Sequence, residues 1–336
     1  MTTPAFGRRS LLALGAGAAL GCGSAPEKIV YEPGRVDLPA AALDRDPLAL
    51  LPSKGVGYFR VDCRALFASR FGERLLAIVR GRAPVPPSAG FEPARDLETI
   101  HGGVFALAGA DLAAVATGRF EPAKIESAAD GVQQTPFGAP VVRSQYAGRG
   151  LYTAANVGFS VLTPRTVLFG NETGIRRALD RVAIGKLSRS VPRWMEKLLA
   201  TQGAPIVGGM DLAGHDLTDV LSQELAFLDG AEALRALVDL EPPGINVAGS
   251  ITYPDEAAAG AALARLRANY AALTGLSMFA GLVGLENPIR RFSPAPRGRE
   301  ITFEIGLDGD ASSRMLDKFA DRLLGALPLT PAGSAP

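Results

Sequence analysis

The chain has little with which to do metal or nucleophilic chemistry. Among its 336 residues are two cysteines, Cys22 and Cys63, and two histidines, His101 and His215, all far apart. No HExxH, no CxxC and no Cys/His group at metal-ligand spacing occurs, and Walker A is absent too. Neither a metal nor a cofactor is therefore expected. An excess of one charge sign is also missing, since 35 Lys and Arg stand against 34 Asp and Glu. Nucleic-acid binding rests on clustered positive charge, so no nucleic-acid partner is expected. Pairs such as Arg176-Arg177 and Arg290-Arg291 are read as solvated faces or helix ends. Long apolar runs are lacking as well. Leu11 to Gly21 and Gly275 to Leu285 reach eleven residues each, and a helix needs about 20 to cross a hydrocarbon core.

What the chain does have is an apolar content of 47% against 21% charged residues, which describes a globular protein with a real core. Its length accommodates two domains of ordinary size.

Residues 8 to 28, RRSLLALGAGAALGCGSAPEK, carry the most glycine-rich apolar run. Gly15 to Gly21 is spaced almost like a dinucleotide loop, but the third glycine comes one residue late and no strand precedes it. Arg8 and Arg9, the apolar stretch from Leu11 and the small residues after it instead form a secretory leader over residues 1–21. Ala18-Ala19-Leu20-Gly21-Cys22 resembles the lipobox of bacterial lipoproteins, in which a diacylglycerol is attached to the cysteine thiol and the chain is cut just before it. Gly21 fits that pattern, whereas Ala19 stands where leucine is commonest. The resemblance covers only these residues and implies lipid attachment at Cys22. Ordinary signal-peptidase cleavage after Ala16-Gly17-Ala18 is the alternative; Cys22 could then pair with Cys63 in an oxidising compartment. Arg8-Arg9-Ser10-Leu11-Leu12 also resembles a twin-arginine leader, and a Sec leader with two arginines fits equally. Losing the leader removes Arg8 and Arg9, leaving 33 bases against 34 acids, a formal charge of −1.

After Cys22, prolines at 26, 33, 39, 47 and 52 and the absence of a sustained period mark residues 22–52 as an extended tether. Residues 328–336 form a short tail. The body between them is predicted to be α+β: two sequence-related halves, 53–195 and 196–327, each a mostly antiparallel sheet with helices packed on one face. In the first half, Val56 to Asp62 reads as a strand, and Asp62 caps a helix carrying Phe67, Phe71, Leu75 and Ile78. Gly103 to Ala108 and Leu112 to Thr117 form a hairpin, and Pro122 opens a helix. Strands follow at Gly150 to Ala155, Phe159 to Thr163 and Thr166 to Phe169, then a helix from Glu172 to Val182.

The second half echoes that order. Pro205 to Asp211 is a strand, followed by a long amphipathic helix with Leu217, Leu221, Leu225 and Leu228 on one side. Asn246 to Tyr253 is a strand, Pro254-Asp255-Glu256 opens a helix, and the strand Glu300 to Leu307 runs into a helix from Ser312 to Leu324. Phe120 to Tyr253 and Phe169 to Phe303 lie 133 and 134 positions apart, which supports a repeat.

Candidate chemistry is sparse. His101-Gly102-Gly103 resembles part of an esterase oxyanion loop, but no G-x-S-x-G accompanies it; Gly158 to Leu162 comes nearest and ends in leucine. The segment is read as a turn leading into a strand. His215 reads as a surface residue beside a helix start, and Cys63 as a small buried hydrophobe, because no histidine or lysine is placed to make it a thiolate. The segment Gly275 to Leu285 is apolar on every side. Met278, Phe279, Leu282 and Val283 within it are the candidate contacts for an apolar ligand or partner.

These features point to an exported lipoprotein, resembling the uncharacterised envelope lipoproteins of bacteria. It would be held by acyl chains at the periplasmic face of a membrane, the outer membrane favoured because Gly23 rather than aspartate follows Cys22. Its body is expected to bind or scaffold without catalysis. A carrier of lipid or another apolar ligand, and a hydrolase using dispersed carboxylates, are the alternatives.

Overall fold

The computed structural model describes residues 36–106, 111–130, 134–215, 223–281 and 288–325. Its strands are β1 (Gly57–Asp62), β2 (Leu97–Ala106), β3 (Asp111–Gly118), β4 (Val142–Tyr146), β5 (Arg149–Ala154), β6 (Val157–Val161), β7 (Thr166–Asn171), β8 (Ile206–Asp211), β9 (Ala233–Asp239), β10 (Gly244–Thr252), β11 (Ile289–Arg297) and β12 (Glu300–Asp308). The α-helices are α1 (Ala40–Leu43), α2 (Pro47–Leu50), α3 (Cys63–Ala68), α4 (Gly72–Arg82), α5 (Pro93–Asp96), α6 (Pro122–Ala128), α7 (Glu172–Ala183), α8 (Arg193–Leu199), α9 (Glu256–Gly281) and α10 (Gly309–Gly325).

All twelve strands join one antiparallel sheet in the order β11-β12-β10-β9-β8-β1-β2-β3-β7-β6-β5-β4. The fold is thus α+β, with helices packed on a large antiparallel sheet. The two segments expected as halves share this one sheet, a point the sequence leaves open: β1 and β8 pair antiparallel, Arg60 opposite Val207. Outward from that pair, each side presents its first, second, third, last and next-to-last strand.

Local chemistry explains many boundaries. Asp62 ends β1 and its Oδ1 accepts from the Ala65 N–H at 3.0 Å, starting α3. Asn171 does the same for α7 through Gly174 N–H, 3.0 Å, and also takes the Leu112 N–H, tying the helix start to β3. Pro122 occupies the first turn of α6, where its missing N–H costs nothing. The edge strand β11 holds Pro294 and Pro296, which cannot donate to a further strand.

Helices cover both faces of the first half, not the one face expected. Val115 and Leu168 join a core under α2, α7 and α8, while Ala116, Val167 and Phe159 join a second core under α3 and α6. The reason lies in the central strands, which are apolar on both sides: Ala113, Ala114, Val115 and Ala116 are all buried. The second half keeps one covered face, where α9 buries Ile251, Tyr253 and Ile301 in a third core. Its opposite face is open, with Ala248, Ser293, Ala295 and Glu304 exposed.

Three further departures concern the chain path. Residues 36–52, expected within the tether, pack into the first core: Leu43, Leu50 and Leu51 are each 1% exposed. Val36 donates to the Ala183 carbonyl at 2.8 Å, and Thr163 and Thr166 donate to Asp44 at 2.5 and 2.6 Å. The prolines there punctuate two short helices that offer leucines to α7 and β3. Second, no long helix begins at Gln223: residues Gln223–Leu228 form a 3-10 helix, and β9 follows; Leu217 and Leu221 lie outside the described residues. Third, His101-Gly102-Gly103 is the middle of β2 rather than a turn leading into it. A Cβ on Gly102 would lie 2.2 Å from the Phe59 ring, so glycine lets that ring cross the sheet.

Candidate functional site

Among the described residues, Cys63 lies in α3, His101 in β2 and His215 in the segment after β8. Cys22, Leu282 and Val283 lie outside the described residues, as do the side chains of Met278 and Phe279 on α9. Cys63 is fully buried, and burial together with the Asp62 carboxylate pushes its thiol up to about 12, so it is no nucleophile. His215 is exposed. His101 sits in β2 with Arg60 opposite it on β1. Burial, and then the Arg60 guanidinium, push its imidazole down to about 4, leaving it neutral at pH 7. Its Nδ1 and the Arg60 Nε are buried without a protein partner, while Arg60 Nη2 donates to the Thr201 and Ala204 carbonyls at 2.7 and 3.1 Å. Among the described residues, no group of three or more His, Cys, Asp or Glu is placed to hold a metal ion.

The feature with the clearest binding geometry is an apolar floor that crosses the junction of the halves on the face of α3, α6 and α9. Directly paired residues share a face of an antiparallel sheet. Val61, Ile206, Val238, Val247, Ile305 and Phe292 form one such row across six strands. Two residues further along each strand lies a parallel row: Gly102, Phe59, Gly208, Ala236, Gly249, Phe303 and Pro294. The first row ends in established cores, Val61 beside that of α6 and Phe292 beside that of α9. Between them, Ile206, Val238, Val247 and Ile305 belong to neither core and stay partly exposed.

Small residues give this floor its shape. Gly102 and Gly249 lie beneath the rings of Phe59 and Phe303; a Cβ on Gly249 would meet the Phe303 ring at 2.5 Å. Gly208 and Ala236, which carry no side chain or a single methyl, keep the middle of the same row low. Nothing in the floor carries charge. An apolar molecule covering it would gain about 25 cal/mol per Å² removed from water. The sequence signal was present but faint: glycines inside strands mark close approach, while β9 and β11, which supply part of the floor, mix charge or proline into the strand.

The opposite, open face is polar where it meets α8. Arg235 stacks its guanidinium 4.6 Å from the Trp194 ring centroid and donates to Thr252 Oγ1 at 2.9 Å, and Glu300 lies 3.4 Å away. Beyond them, Ala204, Leu237, Asn246, Ala248, Arg291 and Glu304 outline a depression of about 210 Å³.

No protein-family model and no curated protein matches the chain. Among solved structures it is similar to TP0453. Crystal form III aligns with a TM-score of 0.50 at 14% identity, covering 82% of this chain and 98% of that one. Crystal form IV gives 0.49 at 14% identity over 84% and 99%. The likeness to form III shows a shared fold.

Proposed function

We propose that this protein is an exported, lipid-anchored protein of the bacterial envelope whose body binds an apolar ligand without catalysis. The carrying observation is the uncharged apolar floor between two cores, with Ile206, Val238, Val247 and Ile305 left partly exposed. Buried, such residues would be ordinary core; half-open, they make a surface that water wets poorly and an acyl chain or similar molecule covers well. Met278, Phe279, Leu282 and Val283 remain proposed contacts for the same ligand. The leader and Cys22 supply the membrane anchor and the periplasmic location, the outer membrane favoured. We further propose that the halves are repeats of one unit, a reading that the matching strand order on both sides of β1 and β8 supports.

Two experiments test this. Protein purified from membranes carries a co-purifying apolar molecule in native mass spectrometry, and Val247→Glu abolishes displacement of a fluorescent fatty acid that the parent binds. A parent that binds no such probe and carries no ligand ends the carrier reading. For the anchor, wild type incorporates labelled palmitate and Cys22→Ala does not; equal labelling of both overturns lipidation at Cys22.

The open polar face supports a second reading, a scaffold for an envelope protein. Exposed Ala248, Ser293, Ala295 and Glu304 lie on a rigid sheet rather than on loops, so a photo-cross-linker at Ala248 would link to that partner and one at Val157, on the far side of the sheet order, would not.

A further inference from the structure

The chain enters its folded body beside a concentration of unpaired positive charge. Val36, the first described residue, is 46% exposed and hydrogen-bonds to Ala183 at the end of α7. Its side chain lies against Gly185, next to Ile184, which is 48% exposed. From there the surface continues through Lys186, Arg189, Arg193 and Lys197, all exposed. Arg193 and Lys197 are four apart on α8, so they share its outer side while Met195 and Leu199 face the core.

Ion pairs hold these pieces as one surface. Arg189 reaches Asp46 at 2.6 Å and Glu196 at 3.9 Å, which joins the first helices, the segment after α7 and α8. Those two acids are thereby engaged. Lys186, Arg193, Lys197 and the neighbouring Arg45 have no acidic partner among the described residues; the exposed acids near the chain entrance are Asp37 and Asp180, the latter accepting a hydrogen bond from Tyr146 Oη.

We infer that this surface, Ile184 with Lys186, Arg193 and Lys197, lies against the anionic phospholipid headgroups of the membrane that carries the acyl anchor. The inference rests on the lipid-anchored reading for its orientation. About 14 residues separate Cys22 from Val36, a reach of at most roughly 50 Å, so the anchor keeps this end of the body near the bilayer. Basic side chains there gain from the negative surface potential, and an exposed isoleucine gains from the interface.

The test removes the anchor and keeps the surface. The full chain carrying Cys22→Ala is sedimented with vesicles of phosphatidylglycerol and phosphatidylcholine, and with phosphatidylcholine alone. Binding to the anionic vesicles only, weakened by salt and cut at least about tenfold by Lys186→Glu, Arg193→Glu and Lys197→Glu together, is the expected result. The three sites are exposed, and an unchanged melting curve checks the fold; Lys186→Gln, Arg193→Gln and Lys197→Gln serve if it shifts. Equal binding by the charge variant, or none by Cys22→Ala, overturns the surface. Because no protein in the assay is acylated, that failure is separate from loss of palmitate labelling in wild type, which would overturn the anchor.

Discussion

The two ends of the sheet follow one winding and are finished differently. Around β3 and β7, helices press on both faces, and consecutive residues such as Ala113 to Ala116 are all buried. Around β10 and β12, one face is open and polar; α9 covers the other at one end, α10 also contacts these two strands, and the row from Ile206 to Ile305 stays partly exposed. A strand buried on both sides is committed to stability, because any side chain it offers has a packed partner. A strand buried on one side has residues to spare. The difference separates strands packed on both faces from strands whose residues stay partly exposed.

Substitutions break that comparison most sharply at its two extremes. Leu168 and Leu179 are fully buried in the doubly covered end, and replacing either with alanine should cost about 3 kcal/mol or more in urea unfolding. Val247→Ala, on the floor, should cost under about 1 kcal/mol while weakening apolar-probe binding; a loss equal to that at Leu168 would mean the floor is core.

The pH dependence probes the seam between the ends. Folded His101 titrates near 4 against an ordinary 6.5. Between those values the unfolded chain holds a proton that the folded chain refuses, so stability falls as pH drops through that window. The loss reaches roughly 3 kcal/mol near pH 4. The denaturant midpoint of wild type should fall relative to that of His101→Gln as the pH drops from 6.5 to about 4, and a constant difference between them would overturn this assignment.

Smaller effects sharpen the picture. Asn171→Ala removes the acceptor shared by α7 and β3 and should lower stability by about 1 kcal/mol, a change visible in the melting temperature. Arg70→Ala removes the ion pair to Asp310 that ties the turn before α4 to α10. With 38% and 74% of the two side chains exposed, it should cost under about 0.5 kcal/mol.

The strands of β1, β3, β7, β10 and β12 were legible because each is a run of apolar or β-branched residues with a turn or cap at its end. Asp62 and Pro122 announced their helices for the same local reason. The α+β class followed from that alternation. By contrast β4, β9 and β11 mix charge or proline into the strand, so their identity depends on a neighbour supplying the ladder. Leu43, Leu50 and Leu51 sat among prolines that suggested a tether, and only α7 and β3 gave them something to bury against.

By itself the sequence determined the absence of a metal or nucleophile motif and most of the helix and strand signals, all of which depend on residues close together in the chain. The tertiary structure alone decided that the halves share one sheet, that helices cover both faces at one end, and that residues as distant as Val61, Ile206, Val238 and Ile305 form a single row. Pairing register is a contact between strands far apart in sequence, and it sets which face each side chain occupies. That register turned scattered valines and isoleucines into a continuous apolar floor.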